Sequence, residues 1–414
     1  MTAIRESAER AANASRVVRG LEGSKKDAVL NRLAALIGEH EESILAANAE
    51  DMSAARDAGL DGPKLARLEL TRAGLETMRQ GLRQIAEMTD PVGDVASEWT
   101  VENGLNVQKV RTPLGVVAMI YEARPGVTID AFSLCFKAGN ACLLKGGKEA
   151  ARSNARLVEL AKQALAEEGV PESMIELVTT SDREEIKEML KLVGLIDLVI
   201  PRGGTSLIQF VHEHSRVPTV QHFKGVCHAF VHEAADLEKA LAICTTGTTS
   251  APATCNSLEC VLVDAKVAEK FVPMLDAECK KLGIELRCDE RSAGLAPSGV
   301  AAGDDDWGYE YLDKVIACRV VDGLDGAVEH IQRFGSDHTD CIVTEDKDAS
   351  ERFCTRVTSS CVLVNASTRF NDGFQLGLGA EIGISTSRIH AYGVMGLQEL
   401  TIQRYVVRGS GQVR

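Results

Sequence analysis

The sequence predicts an α/β protein with two strand-and-helix domains, and three observations lead to that reading. From Val110 to about Gln221, short apolar runs alternate with amphipathic stretches of helical period, and the alternation restarts near Ala229 and continues to about Asn365. Strands that are apolar along their whole length are buried on both faces, as in parallel sheets covered by helices. Two further β-rich segments, one near residue 100 and one at the C-terminal end, fall outside both blocks.

The elements follow in order. Residues 1 to about 90 read as helices: Val29, Leu30, Leu33, Leu36 and Ile37 form one stripe within Lys26 to Gly38, and Glu42 to Gly59 continues it. The turn signals Asp61-Gly62-Pro63 and Thr89-Asp90-Pro91-Val92-Gly93 bracket another helical stretch. From Trp99 two short β segments flank Asn103-Gly104, a hairpin signal. Thr401 to Val407 is β-rich as well, so this late segment and the early one can pair with each other or with a neighbouring subunit. In the first block, strands are expected at Leu114–Ile120, Ala141–Leu144, Ile175–Val178 and Ile196–Ile200, with helices at Ile129–Ala138, Ala150–Glu168 and Arg183–Leu192. In the second, strands are expected at Ala229–Val231, Glu259–Val263, Val315–Val321 and Cys341–Val343, with helices at Asp236–Cys244 and Ala265–Leu282. Strand order cannot be read from such a pattern. No Pro/Gly-rich linker marks the boundary near residue 225.

Composition narrows the function. The 414 residues carry 46 Lys+Arg against 60 Asp+Glu, a formal charge of −14, with 45% hydrophobic and 26% charged residues, which excludes wholesale disorder. With 10 Phe, 5 Tyr and 2 Trp and a negative total, neither base stacking nor phosphate neutralisation is favoured, so no nucleic-acid partner is expected and the partner should be a small molecule. None of the twelve cysteines forms a C-x-x-C pair or a zinc-ligand spacing, which suggests a reduced chain with no metal. The start Met1-Thr2-Ala3-Ile4-Arg5-Glu6 has no apolar signal core, and no run approaches the ~18 apolar residues of a membrane span. A cytoplasmic location away from membranes is expected.

Several motifs carry chemistry. Ile200-Pro201-Arg202-Gly203-Gly204-Thr205-Ser206 follows a strand and opens a helix, a place where glycines and helix N–H groups admit a phosphate, although a plain strand-to-helix turn reads the same way. Lys145-Gly146-Gly147-Lys148 ends a strand at the carboxyl edge, where two lysines would suit a nucleotide with an extra phosphate or simply a solvated loop. Cys255 and Asn256 lie just before an apolar strand; a cysteine there can attack a carbonyl while its own N–H steadies the oxyanion, but free cysteines are also common core residues. His222, His228 and His338 are each acid/base candidates or structural histidines. Arg124 and Arg369 can grip a carboxylate or phosphate with two hydrogen bonds, or act as structural clamps.

Taken together, Val110 to Val116, Tyr121 to Pro125, Ala138 to Ala141, Ile200 to Gly204, Cys255-Asn256, Asn365 to Phe370 and Gly377 to Thr386 resemble the gamma-glutamyl phosphate reductases, a family within the aldehyde dehydrogenase superfamily. The resemblance spans roughly residues 30 to 405. It implies an aldehyde-dehydrogenase-like fold of two α/β domains with parallel-type sheets, an active site in the crevice between them, and a small β flap that serves oligomerisation. The division implied is 1–225 for NADP(H), with flap strands near 99–110, then 226–365 for the catalytic domain, and 366–414 for a return segment and a last flap strand. The activity implied is the second step of proline synthesis from glutamate: NADPH-dependent reduction of L-glutamyl 5-phosphate to L-glutamate 5-semialdehyde and phosphate.

By the same resemblance Cys255 is the nucleophile that forms a thioester, with Asn256 beside it. Lys145, Arg202, Gly203, Gly204 and Thr205 match the cofactor-binding positions, and Glu310 matches the glutamate on the nicotinamide ribose. Lys148 stands where many NAD-using relatives carry a glutamate, favouring NADP(H) by charge complementarity. Arg124, His338, Ser367, Thr368 and Arg369 are the implied substrate contacts. Hydrolytic relatives carry a water-activating glutamate where this chain has His222, and losing it suits a reductase that must keep water off its thioester. The Asn-Ala-Lys and Gln-Arg-Pro usual before the cysteine are replaced by Thr246 to Pro252, so the role of that Arg falls to Arg124 or Arg369 or is absent. A homo-oligomer and a contact with glutamate 5-kinase are the implied protein partners. The rival readings are another acylating dehydrogenase and a catalytically silent nucleotide-binding relative.

Overall fold

The computed structural model describes residues 3–60 and 62–414, so Met1, Thr2 and Asp61, the first residue of the earlier turn signal, lie outside the described residues. Gly62 opens the short helix Gly62–Leu68, so the glycine and proline of that signal start a helix, where a missing proline N–H costs no helical bond. The chain forms two compact units. The first comprises the residues up to Gln221, together with Gly377–Gly383 and Met395–Arg414; the second comprises His222–Leu376 and Ile384–Val394.

The first unit begins with the helices Ala3–Val18, Gly23–Glu39 and Glu41–Asp57, then Arg72–Glu87 after the short helix. The stripe from Val29 to Ile37 is fully buried. Lys26 and Lys137 are buried too, and their charges are met: Lys26 Nζ donates to Asp90 Oδ2 at 2.7 Å and Lys137 Nζ to the Ala86 carbonyl at 2.7 Å, with Asp27 beside it. A parallel four-stranded sheet follows, in the order Ile175–Leu177, Ala141–Lys145, Val116–Tyr121, Leu198–Arg202. The chain steps outward from Val116–Tyr121 in one direction, then crosses to its other side. The carboxyl ends of Val116–Tyr121 and Leu198–Arg202 therefore border the point where strand order reverses, the usual ligand crevice of an open α/β sheet.

The early and late β segments pair with each other. Asn106–Pro113 is the middle strand of an antiparallel sheet between Val95–Thr100 and Thr401–Arg408, with Asn106 opposite Arg408 and Pro113 opposite Thr401. Gly104 takes φ 82° in the hairpin turn, a conformation open to glycine. Both outer strands are mostly exposed, and Trp99 meets Tyr405 edge to face at 6.2 Å.

The second unit is a seven-stranded parallel sheet in the order Val300–Ala301, Glu285–Cys288, Val315–Val321, Leu258–Asp264, Cys227–Val231, Thr339–Val343, Cys361–Val364. Alternate residues face opposite sides, as strand geometry requires. Val261 and Val263 pack with the helices Leu237–Thr249 and Ala265–Leu282, whereas Cys260 and Leu262 pack with Gly323–Phe334 and Lys347–Arg356. Cys244, Cys279, Cys318 and Cys341 are core filler on the first face. Among the described residues no helix is long and apolar enough to cross a membrane.

Candidate active site

The segment before Cys255 is more regular than its sequence suggests. The helix from Leu237 runs to Thr249, five residues past the expected end, although threonine is a poor helix former. Tertiary packing overrides that preference: Thr245, Gly247 and Thr248 are buried, and Thr248 Oγ1 donates to the Leu258 carbonyl at 2.9 Å, while the Thr245 and Thr249 hydroxyls are satisfied on the Leu241 and Thr245 carbonyls at 2.8 Å each. Four residues beyond the capping Ser250, Thr254 opens a turn closed by the Ser257 N–H on its carbonyl at 3.0 Å, with Cys255 and Asn256 at the corner. The strand Leu258–Asp264 begins immediately afterwards.

Three neighbours fix this corner. Asn256 Nδ2 donates to the Asn371 carbonyl at 3.0 Å, and Asn256 Oδ1 lies 3.0 Å from Thr254 Oγ1. The Cys227 thiol donates to the Cys255 carbonyl at 3.3 Å. Gly225 presses against the same carbonyl so closely that a Cβ there would stand 1.9 Å from its oxygen, and the Gly225 N–H donates to Glu310 Oε1 at 2.9 Å. Burial raises the pKa of Glu310.

Two histidines face the thiol. One ring nitrogen of His222, one of His338 and Cys255 Sγ all lie within 4.8 Å of one another. His222 Nδ1 lies 2.8 Å from the Ile384 carbonyl, which only accepts, so Nδ1 carries a proton and the neutral form of the ring has its lone pair on Nε2. His338 is fully buried; its Nδ1 lies 2.7 Å from Thr339 Oγ1, and its Nε2 has no hydrogen-bond partner. Burial, reinforced by His222, pushes the His338 pKa down to about 3, so this ring is neutral near pH 7. The two rings stand edge to face at 5.4 Å. His228, by contrast, gives Nδ1–H to the buried Asp340 at 2.7 Å and stands apart from the thiol trio, in a separate buried group with Cys260 and His330.

Other expected residues gather on the same unit. Asn365 takes φ 53°, and Ser367 caps the short turn Thr368–Phe370 that presents Arg369. The Arg369 guanidinium donates to Thr254 Oγ1 at 2.8 Å and Ser250 Oγ at 3.3 Å, on the loop that leads to Cys255. Thr368 is buried. Arg124, Lys145, Lys148, Arg202, Gly203, Gly204 and Thr205 belong to the first unit. Gly204 caps the helix Thr205–His214 at the strand-order reversal. Lys145 Nζ donates to the Gly146 carbonyl at 2.6 Å, and burial lowers its pKa. Gly146 has no room for a Cβ, which would stand 2.2 Å from Asn154 Nδ2, whereas Lys148 is exposed. Sequence reasoning did not single out Gly225, Cys227, Ile384 or Glu259. Ile384 lies within the Gly377 to Thr386 stretch without standing out in it, and only the fold brings these residues to the corner or beneath it.

A glycine turn thus stands at the strand-order reversal of one parallel sheet, and a thiol with two histidine nitrogens within 4.8 Å at the head of a strand in another. The profile of the Aldehyde dehydrogenase family matches residues 2–297. The chain is 48% identical over 402 residues to the gamma-glutamyl phosphate reductase of Xanthomonas campestris pv. campestris (strain B100), covering 97% of each. It is 48% identical over 414 residues to that of Xylella fastidiosa (strain M23), covering 100% of this chain and 97% of the relative. The crystal structure of the Thermotoga maritima gamma-glutamyl phosphate reductase is similar at a TM-score of 0.98, with 40% identity and 100% of both chains covered. The chain belongs to the aldehyde dehydrogenase family, in its gamma-glutamyl phosphate reductase branch. It is an oxidoreductase of a family that uses nicotinamide cofactors.

Glu259, at the start of the strand after Cys255, is 1% exposed, and its Oε1 has no hydrogen-bond partner. Burial lifts its pKa from 4.5 to about 8, partly opposed by the N–H groups of Tyr311 and Leu312. The folded protein therefore holds a proton here that the unfolded chain releases above its ordinary carboxylate pKa. This contribution to stability is fully present at low pH and is lost as pH rises from about 4.5 to about 8. Glu259→Gln should leave thermal stability nearly unchanged at pH 5 and raise it at pH 9 by roughly 2 kcal/mol. Melting curves of both proteins across that range are the check; parallel curves would contradict the assignment.

Proposed function

We propose that the protein reduces L-glutamyl 5-phosphate with NADPH to L-glutamate 5-semialdehyde and phosphate, the second step of proline synthesis from glutamate. The observation that carries this reading is the Cys255 thiol at a turn held against Gly225, with nitrogens of His222 and His338 within 4.8 Å. His222 Nε2 accepts the thiol proton while Nδ1 stays on the Ile384 carbonyl. The thiolate attacks the acyl carbon, its own N–H steadies the developing oxyanion, and the bond to phosphate breaks. The departing oxygen takes the proton from His222, so the thioester forms with no net charge left on the imidazole. NADPH, when bound, supplies the hydride that reduces the thioester. The resulting tetrahedral carbon expels Cys255 as thiolate, which regains a proton from solvent.

The remaining residues bind and position. Asn256 holds the corner, since both ends of its amide are engaged. Arg369, with Ser367 and Thr368, lies beside the loop before the nucleophile and suits an anionic substrate end, taking over from the arginine absent before Cys255; Arg124 is a second candidate. Lys145, Arg202, Gly203, Gly204 and Thr205 suit the cofactor's ribose and diphosphate, and Glu310 its nicotinamide ribose. The donor set fits: glycines at a helix start, a buried lysine and an exposed Lys148 for a 2′-phosphate. The twelve free cysteines suit a reducing cytoplasm. The exposed antiparallel flap suits a homo-oligomer, and the lability of the acyl phosphate favours direct transfer from glutamate 5-kinase.

The reaction is tested in reverse: glutamate 5-semialdehyde with NADP⁺ should give NADPH only when inorganic phosphate is added, and Cys255→Ala should abolish this while keeping NADPH binding. Phosphate-independent reduction of the cofactor would instead mean that water resolves the thioester. Lys148→Glu should shift the NADPH-to-NADH ratio of kcat/KM by about tenfold or more toward NADH, and an unchanged ratio would remove Lys148 from the cofactor site. Trp99→Glu with Tyr405→Glu should lower the particle mass measured by light scattering; an unchanged mass would exclude the flap as the assembly surface.

A further inference from the structure

Two clusters in the second unit combine two histidines with a cysteine, and their hydrogen bonds separate them. In the first, His228, Cys260 and His330 are all buried. Arg319 donates a guanidinium N–H to His330 Nδ1 at 3.1 Å, so that nitrogen is the acceptor and Nε2 carries the proton, 3.8 Å from Cys260 Sγ. A protonated Nε2 has no lone pair for a cation, and a guanidinium beside the ring opposes one electrostatically. That cluster is a packed polar core.

The second cluster differs at both rings. His222 Nδ1–H is committed to the Ile384 carbonyl, which orients the Nε2 lone pair away from it. His338 Nδ1 has Thr339 Oγ1 at 2.7 Å as its partner, and its Nε2 is buried with no hydrogen bond at all. Each ring thus has an oxygen behind it that accepts Nδ1–H when Nε2 takes a metal, the arrangement that orients metal-bound histidines and strengthens them as ligands. The sulfur is Cys255, set in a turn and half-buried. We propose that Cys255 Sγ, His222 Nε2 and His338 Nε2 bind one Zn²⁺ ion, with a fourth position open to water or an anion.

The chemistry supports zinc above harder cations. Two imidazoles and a thiolate are the nitrogen and sulfur ligands that zinc takes, and three protein ligands leave one tetrahedral position open. Metal–ligand lengths of about 2.0–2.3 Å place ligand atoms roughly 3.3–3.6 Å apart in a tetrahedron, so the present separations of up to 4.8 Å close by about an ångström. Rotation about the Cys255 side chain supplies such a movement without moving the turn. Binding releases the thiol proton and selects the His338 tautomer that donates Nδ1–H to Thr339, so affinity rises with pH until the thiol is ionised. The ion binds whatever the substrate is. Its consequence rests on the proposed function: a metal-bound Cys255 cannot attack an acyl phosphate, so zinc acts as a reversible inhibitor.

The experiment uses the full-length protein freed of metal by a chelator. Titration with Zn²⁺ by calorimetry should show one site per chain, and Co²⁺ should give the visible bands of a tetrahedral ion with a near-ultraviolet thiolate-to-cobalt band. Cys255→Ser should lose the thiolate band, and His338→Ala and His338→Gln should each weaken binding at least tenfold; thermal melting identifies a variant that has failed to fold, and Gln fills the space that Ala leaves. Zinc inhibition of the phosphate-dependent reaction should be reversed by the chelator. A thiolate band that survives in Cys255→Ser, or wild-type protein with no saturable one-to-one binding, would overturn the site. Protein that binds cobalt as described yet lacks the reaction would sink the proposed activity and leave the metal site standing.

Discussion

The carbonyl oxygen of Cys255 lies where a side chain at residue 225 would have to be, and the 1.9 Å separation from an imagined Cβ leaves no alternative to glycine. Because the strands Cys227–Val231 and Leu258–Asp264 are neighbours in the parallel sheet, this contact joins the residues just before one strand to the turn just before the next. The Cys227 thiol and the Gly225 N–H extend the clamp, one to the Cys255 carbonyl and the other to Glu310. A peptide gripped by its carbonyl cannot rotate freely, so the backbone that carries the Cys255 side chain keeps a fixed relation to the sheet. Preorganisation of this kind gives a nucleophile and an oxyanion donor their value, since neither has to be ordered during the reaction.

Burial sets the charges around that clamp. Nine of the twelve cysteines are buried, and those packed in the sheet core have pKa values raised by desolvation, as with Cys341, pushed up to about 12. Cys361 is pushed up to about 11 and Cys354 is raised as well. Abundant cysteine is therefore compatible with one reactive thiol, because an apolar surrounding disfavours every other thiolate. Low dielectric likewise keeps Glu259 protonated near pH 7 and His338 neutral. The thiol thus sits beside a ring that cannot carry charge and another, His222, whose backbone anchor leaves one basic nitrogen.

What the sequence disclosed follows from which forces are local. Apolar runs such as Val116–Tyr121 and the buried stripe from Val29 to Ile37 announce themselves, because burial on both faces or on one helical stripe leaves a periodic record. The short strands Glu285–Cys288 and Cys361–Val364 left little trace: each has four residues, with faces not uniformly buried. The end of the helix at Thr249 was illegible for another reason, since burial of Thr245, Gly247 and Thr248 and the Thr248 bond to the Leu258 carbonyl override a poor intrinsic propensity. The resemblance pointed to Cys255, but His222 and His338 are 338 − 222 = 116 residues apart, and only the strand order brings them to one thiol. That order arises from non-local pairing, which no window of sequence contains.

The glutamate of hydrolytic relatives is absent, and in the proposed reaction His222 serves as the base instead. A carboxylate in that place would stay charged and would polarise any water near the thioester. His222 differs in having one nitrogen tied to the Ile384 carbonyl, so in the proposed reaction it exchanges a single proton through the other. Such a group matches the balance of acyl-phosphate reduction, in which the proton leaving the thiol is the one the departing phosphate needs. The same lone pair, set beside that of His338 and a thiolate, is also what a zinc ion requires. Proton relay and metal capture are two consequences of one arrangement. Any change that tightened the trio to quicken the proton would draw its ligand atoms toward tetrahedral spacing, so sensitivity to zinc is a physical companion of this way of activating the cysteine.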